Sequence, residues 1–415
     1  MRFAAAARLL ESVRASTGRG PFRALKHPDF SRFAAGQTVS LIGTWMQSIA
    51  QGWLVLELTG SAFAVGLVTT LNTLPILLFT LYGGVLADRV DKRRFIIGLQ
   101  SVMLLEAATL ATLTLTGVVT VHMIWGLALV HGLATAFEVP ARQAFLVELV
   151  PYEDLVSAAA LNSTIYNLAR VIGPSIAGVI LVLVGAGWCF FLNALSYLAV
   201  LLSLFRIRYR QPVRAPTARP SIFSGVRFIR EHRLLSALMV QMVLVAVFAV
   251  SFIPILPVFV REVLGSGASS YGALTSALGL GAATGAIIVG GIGRQMSRGR
   301  LASLGSLVLG AVILVLSQVD SLTAAMICLG IAGASMATNG ISTATSLQLA
   351  APANLRGQVM SVYSFVVLGL APIGAFQAGL IAEHFGADGA ILTNGFITLV
   401  GAIVLRRGLW SAVED

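Results

Sequence analysis

Charged side chains are scarce in this chain of 415 residues, because Asp, Glu, Lys and Arg together make up only 11% of it. A soluble protein usually carries roughly 25% charged residues, which cover its wet surface. Hydrophobic residues reach 57% instead, and the mean hydropathy is +0.89. The composition therefore excludes a string of soluble domains and predicts a polytopic membrane protein.

Cysteine and lysine are also rare. The two cysteines, Cys189 and Cys328, both lie in apolar stretches, which excludes a disulfide framework and a zinc-binding spacing. The only lysines, Lys26 and Lys92, do not follow glycine, so the chain lacks the phosphate-binding loop of an ATP-driven pump. A nucleophile with its base, or an HExxH motif, is missing too. We therefore predict neither an enzyme nor a bound cofactor or metal.

Apolar runs of about 20 residues recur along the chain, which is the length that crosses the hydrocarbon layer as a helix. They predict an all-α membrane protein with twelve transmembrane helices, near 33–58, 62–86, 95–116, 121–146, 156–184, 188–205, 234–260, 271–292, 301–318, 322–348, 358–382 and 388–405.

The basic residues fall on one side of this arrangement, with 26 of the 28 Lys and Arg residues in loops of the same side or in the termini. The opposite loops hold only Arg261, and Arg170 lies within a span. Basic loops stay in the cytoplasm, and no signal peptide is recognisable in residues 1–32. We expect a multi-pass protein of the bacterial inner (plasma) membrane with both termini cytoplasmic. The excess of positive charge reflects topology and does not predict nucleic-acid binding.

A basic segment at 206–233 divides the spans into two groups of six. The predicted parts are a basic N-terminal segment 1–32, an N-terminal half 33–205, a cytoplasmic linker 206–233, a C-terminal half 234–407 and a tail 408–415. An internal repeat supports this division, since 151–178 aligns without gaps on 352–379 and matches Gly173 with Gly374 and Gly178 with Gly379. Two matched halves are typical of a transporter built from parallel repeats.

The loop after the second span reads Gly84-Val-Leu-Ala-Asp88-Arg89-Val-Asp91-Lys92-Arg93-Arg94. This segment resembles motif A of the major facilitator superfamily, except that Asp91 stands where the family has its second glycine, which puts the tight turn in doubt. The segment Pro-Ala-Arg-Gln-Ala-Phe at 140–145 resembles the drug-efflux and enterobactin-exporter branch of that superfamily, the transmembrane secretion effector type. The resemblance implies alternating access between two halves, and it implies export.

The fifth span carries Gly173, Pro174, Ala177 and Gly178, preceded by Arg170. This ending resembles motif C of antiporters in the superfamily, with Ala177 in place of a glycine. Small residues let a helix approach its neighbour closely, so this span either seals the two halves together or simply packs within one of them.

A conformational gate is predicted at the second and fourth spans. An acid such as Asp88 at a helix end can pair with Arg142 in one arrangement of the helices and separate in the other. The alternative is that the cluster only anchors the loop in the cytoplasm. The predicted gate residues are Gly84, Asp88, Arg89, Arg93 and Arg142.

Ionisable residues at membrane depth are costly and are candidates for function. Glu106 and His131 lie roughly 15 Å into their spans at 1.5 Å per residue, and Glu138 follows His131 on the same helical face. One interpretation makes one of these three the proton carrier and Arg170 a counter-charge for an anionic substrate or for an acid. The other makes all of them structural pairs, such as Glu138 with Arg142.

Polar and aromatic residues inside the spans are candidates for the wall of a substrate cavity. Hydrogen bonds between helices are the alternative for each of the amides. The candidates are Gln47, Gln51, Asn72, Tyr166, Gln241, Phe248, Asn339, Tyr363 and Gln377.

Together these features predict a monomeric secondary active transporter in the lipid bilayer. We expect a proton-coupled exporter of a small amphipathic molecule, such as a drug-like compound, a siderophore or another metabolite. A facilitative or ion-coupled importer of the same fold stays open, and a membrane-embedded enzyme or a passive channel is the alternative from another class.

Overall fold

The computed structural model describes residues 23–87, 89–207, 209, 222–292, 296–352 and 355–411, and within these ranges it is built from helices. Long helices form where the apolar runs lie, because backbone groups in lipid must bond within their own segment. The first six are α1 (Pro28–Thr59), α2 (Ala62–Ala87), α3 (Lys92–Leu115), α4 (Val121–Glu148), α5 (Leu155–Leu183) and α6 (Ala186–Arg206). The others are α7 (Ile222–Glu231), α8 (Arg233–Leu244), α9 (Phe252–Glu262), α10 (Ala268–Ile292), α11 (Arg298–Leu316), α12 (Leu322–Ala350), α13 (Arg356–Gly369) and α14 (Ala371–Ser411).

Ten helical stretches of the described ranges are long and apolar enough to cross a membrane. One of them, Arg356–Arg406, is 51 residues long, and α14 within it is interrupted at Gly386, whose backbone is left-handed with φ 77°. About 20 residues suffice for one crossing, so this stretch has room for two. The all-α membrane fold is confirmed, whereas the count of twelve spans stays a prediction.

The start of α3 shows what Asp91 does in place of the family's glycine. Its side chain accepts a hydrogen bond from the Arg94 backbone N–H at 2.8 Å and thereby caps the helix. The helix begins at Lys92, before the predicted start at 95. The residue that departs from the motif therefore has a local structural role.

A short helix occupies the second part of the predicted linker 206–233. Helix α7 packs against α13, where a methyl group built on Gly225 would lie 2.7 Å from the Gln358 carbonyl oxygen. Residues 210–221, with all three of the linker's prolines and three of its eight arginines, lie outside the described ranges.

The helices before the linker (α1–α6, the N-terminal group) meet those after it (α8–α14, the C-terminal group) mainly along two seams, α2 with α14 and α5 with α10. We call the end of the molecule where α1 leads into α2 the acidic end, since it carries Glu57, Glu262, Asp320, Glu383 and Asp388. The opposite end, where α2 leads into α3, is the basic end.

Both seams are tightest toward the acidic end, where glycine faces glycine. A methyl group built on Gly178 of α5 would lie 3.0 Å from the Cα of Gly272 on α10. One built on Gly379 of α14 would lie 3.0 Å from the Cα of Gly66 on α2. Such close backbone contact needs residues without side chains. Gly178 and Gly379 are also one of the two glycine pairs that the repeat matches.

Candidate functional site

Glu106 of α3 lies at the centre of a polar network inside the N-terminal group. Its side chain is fully buried, and the amide of Gln47 on α1 donates to both of its carboxylate oxygens at 3.2 Å. Buried charge is stabilised only where such donors reach it. The Gln47 amide is therefore a hydrogen-bond donor of the kind that a buried carboxyl group needs.

His131 of α4 is the second contact of this carboxylate. Its Nδ1 lies 3.3 Å from Glu106 Oε2, and 16% of the His131 side chain is exposed. The structure thus brings together two of the three predicted proton-coupling residues. The imidazole is the less buried of the two side chains.

Asn193 of α6 extends the network to a fourth helix. Its Nδ2 donates to Gln47 Oε1 at 2.7 Å, and its Oδ1 accepts from Ser196 at 3.0 Å. The sequence analysis did not single out Asn193. The available signal was an isolated amide in an apolar span, the same signal that selected Gln47.

Glu138, the third candidate, belongs to a separate pair toward the basic end. Arg142 Nε lies 2.9 Å and 3.2 Å from its two carboxylate oxygens, and Gln100 of α3 donates to Glu138 at 3.1 Å. All three residues are buried. This arrangement corresponds to the structural pairing that the sequence left open, and Gln100 is a partner that the sequence did not reveal.

The remaining gate residues lie around the start of α3. Arg93 donates to the carbonyl oxygens of Leu204 and Phe205 at 2.6 Å and 3.1 Å, and so caps the end of α6 within the same helix group. Arg89 is exposed, and Gly84 lies near Pro140 of α4. Asp88 lies outside the described residues.

Lys92, which lies within the basic cluster, is not exposed to solvent. It is 2% exposed, and its Nζ lies 3.3 Å from Glu148 Oε1. Tyr209 donates a hydrogen bond to the other oxygen of Glu148. The first residue of α3 is therefore held inside the N-terminal group by a buried ion pair.

The charged residues that the structure buries share one location. In the described ranges they all lie before the linker, and they are Lys92, Glu106, Glu138, Arg142 and Asp154, together with the side chain of Glu148. The buried polar residues of the C-terminal group are amides and hydroxyls.

On α5 the predicted small residues make contacts on two sides. A methyl group built on Gly173 would lie 2.6 Å from Trp45 Cβ of α1, whereas Gly178 meets Gly272 of α10. Pro174 and Ala177 are buried between them. Gly173 therefore packs within the N-terminal group, whereas Gly178 packs between the two groups, so each interpretation of the motif applies to a different residue.

Arg170 lies one turn before Gly173, with its guanidinium carbon 5.7 Å from the centroid of the Trp45 ring. Tyr166 packs edge-on against the same ring, at 5.8 Å between centroids. Among the described residues Arg170 forms no ion pair, so the structure does not bring it to Glu106 or Glu138.

The cavity candidates of the C-terminal group mostly bond other helices. Gln241 of α8 and Asn339 of α12 donate to the same carbonyl oxygen, that of Ala302 on α11, at 3.0 Å and 2.9 Å. Tyr363 donates to the Gly340 carbonyl at 3.1 Å. Gln377 donates to the Val247 carbonyl at 3.2 Å and to Asn394 Oδ1 at 3.0 Å. In the N-terminal group, Asn72 donates to Gln51 at 3.2 Å. Phe248 is half-buried in a π-helical turn, Val245–Ala249, that joins α8 to α9.

The acidic end is held shut by polar contacts as well as by glycines. Glu383 of α14 accepts hydrogen bonds from the Ser61 hydroxyl and the Phe63 backbone N–H at the start of α2, both at 2.9 Å. Near them Trp53 of α1 stacks on Tyr271 of α10. Toward the basic end large apolar side chains are exposed on both groups, among them Tyr82, Val156 and Ile287.

This helical bundle has ionisable side chains inside one helix group and glycine seams between the two groups. Such an architecture is typical of a membrane transporter. Residues 19–414 match the sequence profile of the family described as transmembrane secretion effector. The chain belongs to this family of the major facilitator superfamily. It is a multi-pass membrane protein and a secondary transporter of small molecules, not an enzyme.

Two curated relatives and one solved structure illustrate the similarity. The chain is 25% identical over 391 residues to the staphyloferrin A transporter of Staphylococcus aureus, covering 92% of this chain and 98% of the relative. It is also 25% identical over 390 residues to the enterobactin exporter EntS of Shigella flexneri, covering 92% and 93%. The crystal structure of the POT family transporter PepTSo superposes with a TM-score of 0.74 at 13% identity, covering 94% of this chain and 99% of that one, which shows the shared fold.

Proposed function

We propose that this transporter exports a small amphipathic molecule across the bacterial inner membrane in exchange for protons, and that Glu106 carries the proton. The observation that supports this most is the contact between the fully buried Glu106 and the partly exposed His131, at 3.3 Å.

Two side chains contact the Glu106 carboxyl group. The Gln47 amide donates to both of its oxygens, and His131 Nδ1 lies 3.3 Å from one of them. A buried carboxyl group in direct contact with an imidazole can exchange a proton with it. His131 is placed to exchange that proton because it contacts Glu106 and is itself partly exposed.

We further propose that both termini and residues 206–233 are cytoplasmic and that twelve spans form two six-helix halves. In that orientation the seams at Gly178 and Gly379 lie toward the outer side, and we expect substrate to enter from the inner side. The relative EntS is an enterobactin exporter, which supports the outward direction. An importer of the same fold would use the same seams, so a direct transport measurement must distinguish the two.

The test is a substrate screen in proteoliposomes with an imposed pH gradient, using catecholate siderophores, carboxylate siderophores and lipophilic drugs. We expect one class to be concentrated against its gradient. Glu106→Gln should abolish this uphill transport and leave downhill exchange of the same substrate. The matched control is Glu153→Gln, which neutralises an exposed carboxylate outside the network.

Uphill transport that persists in Glu106→Gln would show that Glu106 does not carry the proton. In that case the His131→Asn variant is measured in the same assay. If this variant loses the uphill transport driven by the pH gradient and Glu106→Gln keeps it, the imidazole is the carrier.

A further inference from the structure

The amide group of Gln47 has two ends, and either of them could face Glu106. The nitrogen donates hydrogen bonds and the oxygen only accepts them, yet the two ends have almost the same size, so packing does not select between them. In the structure the nitrogen faces Glu106, at 3.2 Å from both carboxylate oxygens. The orientation is therefore decided by the partner of the oxygen.

That partner is Asn193 of α6, which is fully buried. Its Nδ2 donates to Gln47 Oε1 at 2.7 Å, and its own Oδ1 accepts from the Ser196 hydroxyl at 3.0 Å. Turning the Gln47 amide over would set two N–H donors against each other, and a buried donor left unsatisfied costs free energy. The bond from Asn193 thus keeps the Gln47 nitrogen turned toward Glu106.

Gly43 of α1, one turn before Gln47, gives Asn193 the room that it needs. A methyl group built on Gly43 would lie 2.5 Å from Asn193 Oδ1 and 2.9 Å from Ser196 Cβ. A larger residue at this position would therefore displace the Asn193 amide. The close approach of α1 and α6 at Gly43 brings that amide within reach of Gln47.

We propose that Asn193 is a positioning residue for proton exchange at Glu106. It acts through Gln47, whose amide it holds as a fixed donor to the carboxyl group. The inference rests on the proposed function in assuming that Glu106 carries the proton.

Replacing Asn193 changes the hydrogen bonds around Glu106 and leaves the charges unchanged, because an amide does not ionise. The nearest ionisable groups on the helices packed against α3 are His131 of α4, at 3.3 Å, and the buried Tyr197 of α6. Glu138 lies two turns beyond His131 on α4 and is paired within its own helix. An effect of the replacement on Glu106 therefore reports the orientation of the amide.

The test is the infrared spectrum of the purified full-length protein, in which the Glu106 band is assigned by its loss in Glu106→Gln. A hydrogen bond donated to a carboxyl oxygen lowers the stretching frequency of that group. We expect Asn193→Ala to move the Glu106 band to higher frequency, because the Gln47 nitrogen is no longer held against it. The matched control is Thr44→Val, which removes a contact at 3.3 Å between the same two helices, to the Tyr197 hydroxyl, and should leave the band in place.

Transport in proteoliposomes with an imposed pH gradient is the second measurement. Asn193→Ala should lower uphill transport at least threefold and keep downhill exchange within twofold of the wild type. A purely structural defect would lower both to the same extent. Thr44→Val should keep both.

An unmoved Glu106 band in Asn193→Ala, an equal shift in Thr44→Val, or unchanged uphill transport in Asn193→Ala would overturn the proposal. An equal loss of uphill and downhill transport would overturn it too. If Asn193→Ala does not fold, Asn193→Ser replaces it, since its shorter side chain lacks the N–H group that reaches Gln47 and should give the same shift.

The role of Asn193 and the role of Glu106 fail in different measurements. Uphill transport that persists in Glu106→Gln removes Glu106 as the carrier, whatever the infrared band of the Asn193 variant does. An unmoved band in Asn193→Ala, with uphill transport lost in Glu106→Gln, removes only the role of Asn193.

Discussion

Arg142 distinguishes two interpretations of the gate region, a latch with Asp88 and a structural pair with Glu138. In the structure it pairs with Glu138 of its own helix and is buried with it. A latch with Asp88 requires Arg142 to exchange this partner as the molecule changes state. The two carboxylates should therefore respond differently to neutralisation.

We predict that Glu138→Gln lowers the free energy of unfolding by about 3 kcal/mol, because it leaves the buried guanidinium without its counter-charge. Asp88→Asn should leave stability unchanged and slow transport, because it removes only the transient partner. Thermal unfolding in detergent and the initial transport rate measure the two effects. Normal transport by Asp88→Asn would leave this loop with a topological role alone.

At the same scale, the sequence identified the right kind of residue more often than the right contact. Glu106 and His131 were selected for their depth, and their contact at 3.3 Å is a finding of the structure that the sequence did not predict. For Gln47 the sequence left open a cavity wall or a bond between helices, and in the structure it bonds Glu106, with Asn193 behind it. Which amide faces which helix depends on how each helix is rotated in the bundle, and an apolar span carries little periodic signal about that rotation.

At the scale of the helices, the glycine seams bring the N-terminal and C-terminal groups into close backbone contact. In a helix Gly→Ala normally stabilises by up to about 1 kcal/mol, and Gly98 of α3, which has open space beside it, should show this gain. At Gly178 and Gly379 the added methyl group would press on the facing backbone 3.0 Å away. We therefore predict that Gly178→Ala and Gly379→Ala each lower the midpoint of thermal unfolding and slow substrate exchange.

The two seam variants should behave alike, because the repeat places them at equivalent positions. If both become more stable, as Gly98→Ala should, then the seams do not limit the approach of the helices. A loss in only one of them would mean that one seam closes the acidic end.

The elements that escaped prediction are those that depend on more than hydropathy. Asp91 begins α3 early because its carboxylate caps a backbone N–H, and α7 forms because it packs on α13. The π-helical turn at Val245–Ala249 and the left-handed backbone of Gly386 interrupt helices. The hydropathy of the sequence does not reveal either interruption. Composition predicts where a helix can lie in lipid, but caps and tertiary contacts decide where it starts and breaks.

For the whole molecule, the distribution of basic residues predicts that residues 206–233 lie in the cytoplasm. Single cysteines placed in this segment should resist an impermeant thiol reagent added to intact cells and react after the cells are opened. Cysteines placed at residues 60 and 265, in the acidic-end loops, are the controls and should react from outside. Labelling of the 206–233 segment in intact cells would reverse the proposed orientation.

The confinement of buried charge to the helices before the linker has a consequence for how such a protein can evolve. If the two groups arose by duplication, they have since diverged in chemistry, because the first keeps buried acids, bases and their partners and the second, among the described residues, buries only neutral side chains. A buried ion pair tolerates few changes because both partners must change together, whereas a neutral amide or serine can be exchanged singly. The buried positions of the C-terminal group are thus freer to change one at a time than the ion-paired positions of the N-terminal group.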